Sequence, residues 1–154
     1  MKRIVVMISG SGSNLEAIIE ACLSQRINGE VVHVISNVPD VFGLTRAAKH
    51  NIPSSVINHN DFIDRESFER ELYNQVSDLS PDLVVLAGFM RILTANFTNP
   101  LKGKLINIHR TQLSGTYGKL TLSSDGSYNY VADAQSATNS VLEDTFTYTI
   151  SDGN

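Results

Sequence analysis

Residues 4–23 read IVVMISGSGSNLEAIIEACL, and the order of residue types in this stretch decides the fold class. Ile4, Val5, Val6, Met7 and Ile8 form an unbroken apolar run, as in a strand buried on both faces of a sheet. Ser9, Gly10, Ser11, Gly12, Ser13 and Asn14 break that run with turn-forming residues. Leu15, Ile18, Ile19, Cys22 and Leu23 then recur at i, i+3, i+4, i+7 and i+8, the stripe of a helix with one buried face. Strand, glycine-rich turn and helix in succession open a βαβ unit.

The pattern repeats outward from there. Segments 31–36, 54–58, 82–87 and 104–109 are short and mostly apolar, and read as further strands. A second helix is expected over 42–51, ending before Pro53. Phe62, Phe68, Leu72, Val76 and Leu79 stripe a third, which stops at Pro81. Alternating strands and helices imply right-handed crossovers and a parallel, doubly wound α/β sheet of five strands.

Composition changes at Arg110. Residues 1–110 hold 11 Lys or Arg against 11 Asp or Glu, whereas residues 111–154 hold one Lys against five acids. The net charge of −4 therefore belongs to the tail. In that tail Leu120 and Leu122, Tyr128 and Tyr130, and Phe146, Tyr148 and Ile150 alternate with polar residues, around a turn signal at Ser124, Asp125, Gly126 and Ser127. This predicts an antiparallel β-hairpin segment, so the expected domains are 1–110 and 111–154. No basic block favours nucleic acid, no apolar run reaches the ~20 residues of a membrane span, and no signal peptide opens the chain. Cys22 stands alone, which leaves no internal disulfide and no cysteine-based zinc site. These features lead to the expectation of a cytoplasmic protein without a bound metal.

Three clusters carry candidate chemistry. The 9–14 turn ahead of a helix suits a phosphate, which free helix N–H groups and close glycine backbone can hold. It is neither a dinucleotide fingerprint, because Leu15 replaces the third glycine, nor a Walker loop, because no Lys follows. The bland alternative is a capping box between Ser13 and Glu16. The second cluster, Gly88, Phe89, Met90, Arg91, Ile92 and Leu93, follows the fourth strand, where open α/β sheets bind ligands. Its alternative is core packing at the start of a short helix. The third is Asn107 and His109, which period two puts on one side of the fifth strand. An amide donor beside an imidazole suits an oxyanion and a moving proton, although a lone histidine is often structural. His33, His50 and His59 are read as structural.

The stretches IVVMISGSGSNLEAIIEAC, ISN, FGLTRA, PDLVVLAGFMRIL and LINIH together resemble phosphoribosylglycinamide formyltransferase over residues 1 to about 109. The resemblance implies that Gly12, Ser13 and Asn14 hold the phosphate of glycinamide ribonucleotide, with Gly88 near the same substrate. It implies that Arg65, Met90, Arg91, Ile92 and Leu93 bind 10-formyltetrahydrofolate, and that Asn107 and His109 are catalytic. The SGSGSN turn favours the ribonucleotide over the nucleotide-sugar or aminoacyl-tRNA acceptors of related formyltransferases. After His109 the family continues Pro-Ser-Leu-Leu-Pro, and a later loop supplies an Asp. Here Arg110, Thr111, Gln112, Leu113 and Ser114 follow instead.

From about Ser114 the tail resembles a VCBS or cadherin-like repeat of bacterial adhesins, on GTYGKLTLSSDGSYNY and DTFTYTISDGN. That family is an extracellular, often Ca²⁺-linked spacer, which would make the chain a non-enzymatic chimera. The two resemblances together lead to the expectation of an artificial junction near Arg110, a truncated formyltransferase with little turnover, and self-association through an open sheet edge.

Overall fold

The computed structural model describes residues 1–108, 111–114, 118–122 and 128–132. The chain divides into two units, Met1–Ile108 and His109–Asn154.

In the first unit five strands form one parallel sheet: β1 (Lys2–Ile8), β2 (Gly29–Ser36), β3 (Ser54–Val56), β4 (Leu83–Ala87) and β5 (Leu105–Ile108). Their order is β3-β2-β1-β4-β5, so the chain winds outward from β1 in one direction and then restarts beside it in the other. The expected five-stranded doubly wound sheet is present. Helix α1 (Ser13–Leu23) and α2 (Phe42–Lys49) share one face with Ile4, Val6, Ile8 and Val85. Helix α3 (Arg65–Asp78) and the short α4 (Ala95–Thr98) share the other with Val5, Met7, Val84 and Leu86. β1 from Ile4 onward and β4 are thus buried on both sides, which is why they read as unbroken apolar runs, whereas β3 and β5 at the two edges of the sheet are half-buried or exposed. Burying each such Val, Leu or Ile contributes about 1.5–3 kcal/mol relative to leaving it in water.

Boundaries differ from expectation where a local hydrogen bond or a neighbour intervenes. The third helix does not include Phe62. Asp64 caps it instead, its carboxylate accepting from the Ser67 N–H at 2.7 Å. Phe62 is extended before the cap and stacks edge-on against Phe68, at 5.7 Å between ring centroids. α2 ends at Lys49, and β3 ends at Val56.

α2 presses on the turn after β1. The Gly43 N–H donates to the Gly10 carbonyl at 3.1 Å, and Arg46 Nε donates to the Ser11 carbonyl at 2.9 Å. Gly12 is in the left-handed region at φ +71°, and a Cβ there would lie 2.6 Å from the Gly43 Cα. Both requirements exclude a side chain.

The second unit contains β6 (Thr111–Ser114), β7 (Gly118–Leu122) and β8 (Tyr128–Ala132), an antiparallel sheet in that order. Its register sets Leu120 opposite both Leu113 and Tyr130. The expected turn at 124–127 and strand at 146–150 lie outside the described residues. Among the described residues no helix is long and apolar enough to cross a membrane.

Two predictions follow from this packing. Gly88, at φ +74°, has nothing among the described residues within 4 Å of a Cβ, so Gly88→Ala carries only the left-handed backbone cost of about 1–2 kcal/mol. Gly12→Ala adds a backbone collision and should lose at least about 2 kcal/mol more by denaturant titration. Equal losses would show that α2 yields freely.

Acidification should also destabilise the fold in two stages. Burial lowers the pKa of His33, whose Nε2 lies 3.0 Å from Ser55 Oγ, so the unfolded chain takes up that proton more readily. Stability from His33 is therefore present above its ordinary range near 6.5 and falls as pH drops through it. Glu16, Asp64 and Asp82 are held below the usual carboxylate range, chiefly by hydrogen bonds from His50, Ser67 and the Arg3 N–H. Their contributions persist until pH falls below that range. Melting temperatures should fall from pH 7.5 to 5.5 and again towards pH 3, and His33→Gln should remove the first step. A first step that survives the substitution would assign it elsewhere.

Candidate functional site

The sheet order reverses between β1 and β4, so the loops leaving their carboxyl ends diverge to opposite faces and open a crevice. The 9–14 turn and the 88–94 loop leave from there. Register places Met7, Leu86 and Asn107 in one row across β1, β4 and β5, two residues short of Ser9 and Gly88. Asn107 is exposed, and by alternation it shares a face with Leu105, the side of the sheet covered by α3. Three of the sequence candidates therefore meet along one edge: Gly12 with its neighbours, Gly88, and Asn107. His109 lies outside the described residues.

The 9–14 turn is not a capping box. The residue before α1 is Gly12, and no side chain caps the helix. Glu16, the expected partner of Ser13, is drawn away by tertiary neighbours. Its carboxylate accepts from Arg46 Nη1 at 3.1 Å and pairs with His50 Nε2 at 2.9 Å. The Arg46 guanidinium lies 4.8 Å over the Phe42 ring. Hence, among the described residues, the first-turn N–H groups at Ser13 and Asn14 have neither an intrahelical nor a side-chain acceptor. With the positive end of the helix dipole they can accept an anion. Ser13 is exposed and Asn14 half-buried, so a ligand can reach them.

The 88–94 loop is not core. Met90 is 77% exposed and Ile92 81%, and Arg91 is exposed between them. Phe89 is buried and Leu93 packs against the same cluster, so the flanks are anchored while the tip stands out. Arg65 is exposed at the first position of α3, the helix that follows β3 and so starts on the carboxyl side of the sheet.

Sequence reasoning missed what joins the two loops. The Met90 N–H donates to Ser9 Oγ at 2.7 Å, and the Ser9 hydroxyl donates in turn to Asn37 Oδ1. Asn37 is buried, and its own N–H donates to the Ile8 carbonyl at 3.3 Å. His59 Nδ1 lies 3.0 Å from the Asn37 carbonyl and 3.2 Å from Asn37 Nδ2, so its tautomer selects one of the two. The ISN stretch thus ties the end of β2 to both loops. The only hint in the sequence is a polar Ser36 and Asn37 directly after an apolar strand.

A separate groove of about 580 Å³ opens at the amino ends of β1 and β2, lined in part by Arg3, Cys22, Glu30 and His50. It lies at the wrong end of the strands for the crevice. Among the described residues no group of three or more His, Cys, Asp or Glu is placed to hold a metal ion.

The family described as formyl transferase matches residues 2–119. A trifunctional purine biosynthetic protein of Chironomus tentans is 51% identical over 114 residues, 73% of this chain and 8% of that protein. The phosphoribosylglycinamide formyltransferase of Escherichia coli K12 is 48% identical over 110 residues, 71% of this chain and 52% of that one. The solved phosphoribosylglycinamide formyltransferase of Coxiella burnetii superposes with a TM-score of 0.68 at 43% identity, covering 76% of this chain and 55% of the other. That of Brucella melitensis gives 0.70 at 28% identity, over 89% and 83%. The chain spans about half the length of the Escherichia coli relative. With a family match over most of its residues and the architecture of solved relatives, this chain belongs to the formyl transferase family.

Proposed function

We propose that the first unit is built for formyl transfer from 10-formyltetrahydrofolate to the amine of glycinamide ribonucleotide, a step of purine biosynthesis. The observation that carries this reading is the uncapped start of α1 facing the same crevice as the displayed 88–94 loop. A phosphate held by the backbone at Gly12, Ser13 and Asn14 leaves the ribonucleotide amine directed along the edge towards Gly88 and Asn107. Met90 and Ile92 offer exposed apolar contact to a flat pterin, while Arg91 and Arg65 are exposed cations that suit the carboxylates of the folate's glutamate part.

The chemistry then needs little from the protein. The neutral amine attacks the formyl carbon, and the carbonyl oxygen gains negative charge. The Asn107 amide donates a hydrogen bond to that oxygen, a contact whose loss in comparable sites costs about 10²–10³ in rate. His109 as an imidazolium offsets the same charge. When the tetrahedral intermediate collapses, the bond from the formyl carbon to N10 of the folate breaks and the imidazolium gives its proton to N10. The neutral ring takes up the proton the attacking amine loses, leaving tetrahydrofolate and the formylated ribonucleotide. Holding two substrates side by side supplies much of the remaining acceleration.

In this reading the 154-residue chain binds better than it turns over. None of Asp125, Asp133, Glu143 or Asp144 stands in a segment like the family loop that supplies a carboxylate to the histidine. Loss of such an orienting acid costs about 10⁴ in rate in comparable sites. The tail is read as an adhesin-like β segment, supported by its alternating pattern and the antiparallel β6-β7-β8 sheet. The whole is read as cytoplasmic, with small molecules as its partners and with self-association at the sheet edge.

The test is to incubate the chain with both substrates, alone and as His109→Ala and Asn107→Ala, and to follow formylated ribonucleotide. Calorimetry on each ligand is run in parallel. Binding of both ligands with product forming near the uncatalysed rate is expected. Robust turnover that disappears in His109→Ala would show a complete site and refute the slow-turnover claim. Failure to bind either ligand would refute the functional reading.

A further inference from the structure

We propose that Glu69 and Ser9 are positioning residues that pin the two ends of the 88–94 loop, so that its tip is presented to the folate co-substrate already ordered. This rests on the functional reading above and adds residues that it does not use. Glu69 is a charged residue at 4% exposure, set in α3 between the core residues Phe68 and Leu72. Burying a carboxylate is costly unless its oxygens find donors. Both find them on one residue. The Thr94 N–H donates to Oε1 at 3.0 Å, and the Thr94 hydroxyl donates to Oε2. Thr94 is the residue ahead of α4, and its side chain does not cap that helix, because Glu69 engages the hydroxyl.

At the other end of the loop the Met90 N–H is held by Ser9 Oγ. Ser9 has one proton, and it goes to Asn37, so the hydroxyl accepts from Met90 in a fixed orientation. Replacing Ser9 by Ala would strand an N–H on the loop and an amide oxygen on buried Asn37. Phe89, just before the first pin, and Leu93, just before the second, anchor inward, while the side chains of Met90 and Ile92 stay exposed. Two exposed apolar side chains, separated only by Arg91, on a segment without helix or strand would ordinarily collapse onto the core. Pinning at 90 and 94 removes that freedom, and a loop ordered before binding loses less entropy when a ligand arrives.

The bonds, not the charge of Glu69, carry the function. A Gln at 69 can still accept from the Thr94 N–H through its amide oxygen, and its NH₂ can donate to a reoriented Thr94 hydroxyl. Glu69→Gln is therefore the rescuing variant, and Glu69→Ala the breaking one.

The experiment uses the full chain as Ser9→Ala, Glu69→Ala and Glu69→Gln beside the unmodified protein. Limited trypsin digestion reads cleavage after Arg91 by mass spectrometry, and calorimetry reads binding of 5-formyltetrahydrofolate as a stable probe. Ser9→Ala and Glu69→Ala should each cleave about tenfold faster at Arg91 and bind the probe about tenfold more weakly. Glu69→Gln should stay within about threefold of the unmodified chain on both readouts. Cleavage and affinity unchanged in both alanine variants would overturn the proposal, as would Glu69→Gln behaving like Glu69→Ala. If the unmodified chain does not bind the probe, the functional reading fails, and the cleavage rates alone still decide whether the two residues pin the loop. Should Glu69→Ala not fold, Ser9→Ala decides by the same two readouts.

Discussion

The short turn leaving β1 makes few hydrogen bonds of its own, and the rest of the first unit is arranged to supply them. Ser9 Oγ takes the Met90 N–H, the Gly10 carbonyl takes the Gly43 N–H, and the Ser11 carbonyl takes Arg46 Nε. Gly12 then closes against Gly43 with no room for a side chain. Four consecutive residues are thus fixed by the end of β4 on one side and α2 on the other. What this leaves over is the helix start itself, with first-turn N–H groups that no side chain among the described residues caps. A backbone so constrained presents those donors in one geometry, the condition for binding an anion without reorganisation.

The same logic extends across the sheet. Parallel order puts the ends of β1, β4 and β5 at one edge, and the reversal of winding between β1 and β4 separates their loops enough for a ligand to enter. Asn107 reaches this edge by register alone, opposite Leu86. The two loops are nonetheless joined beneath the crevice through Ser9 and Asn37. In the functional reading, the phosphate end and the folate end of the site are tied by one chain of hydrogen bonds that runs from exposed Met90 through half-buried Ser9 to buried Asn37.

Much of this was legible in the sequence. The unbroken apolar runs of β1 and β4, buried on both faces, together with the 3.6-residue helical stripes and the turn residues between them, give the alternation from which the order of five strands and three helices is read. The two loops were legible because glycines and an arginine interrupt apolar runs where strands end. The misreadings have a common cause. Phe62 looked like one more helical stripe residue, but the Asp64 cap lies between it and the helix. Glu16 looked like a capping-box acid, but Arg46 and His50, 30 and 34 residues away, compete for its oxygens. Ser9, Asn37 and Glu69 were invisible as structural pins because their partners lie 81, 28 and 25 residues distant. Local pattern reports burial well; it reports the pairing of buried polar groups poorly. His109, read as catalytic from the sequence, lies outside the described residues.

The central claim is that the uncapped start of α1 is where the ribonucleotide phosphate sits. Amide NMR on the ¹⁵N-labelled chain, titrated with glycinamide ribonucleotide and then with inorganic phosphate as competitor, tests it most directly. The account predicts saturable shifts at the amides of Gly12, Ser13 and Asn14, with a smaller response at Met90 through Ser9, and displacement by phosphate. Shifts confined to the groove at the amino ends of β1 and β2, or none at saturating ligand, would contradict it.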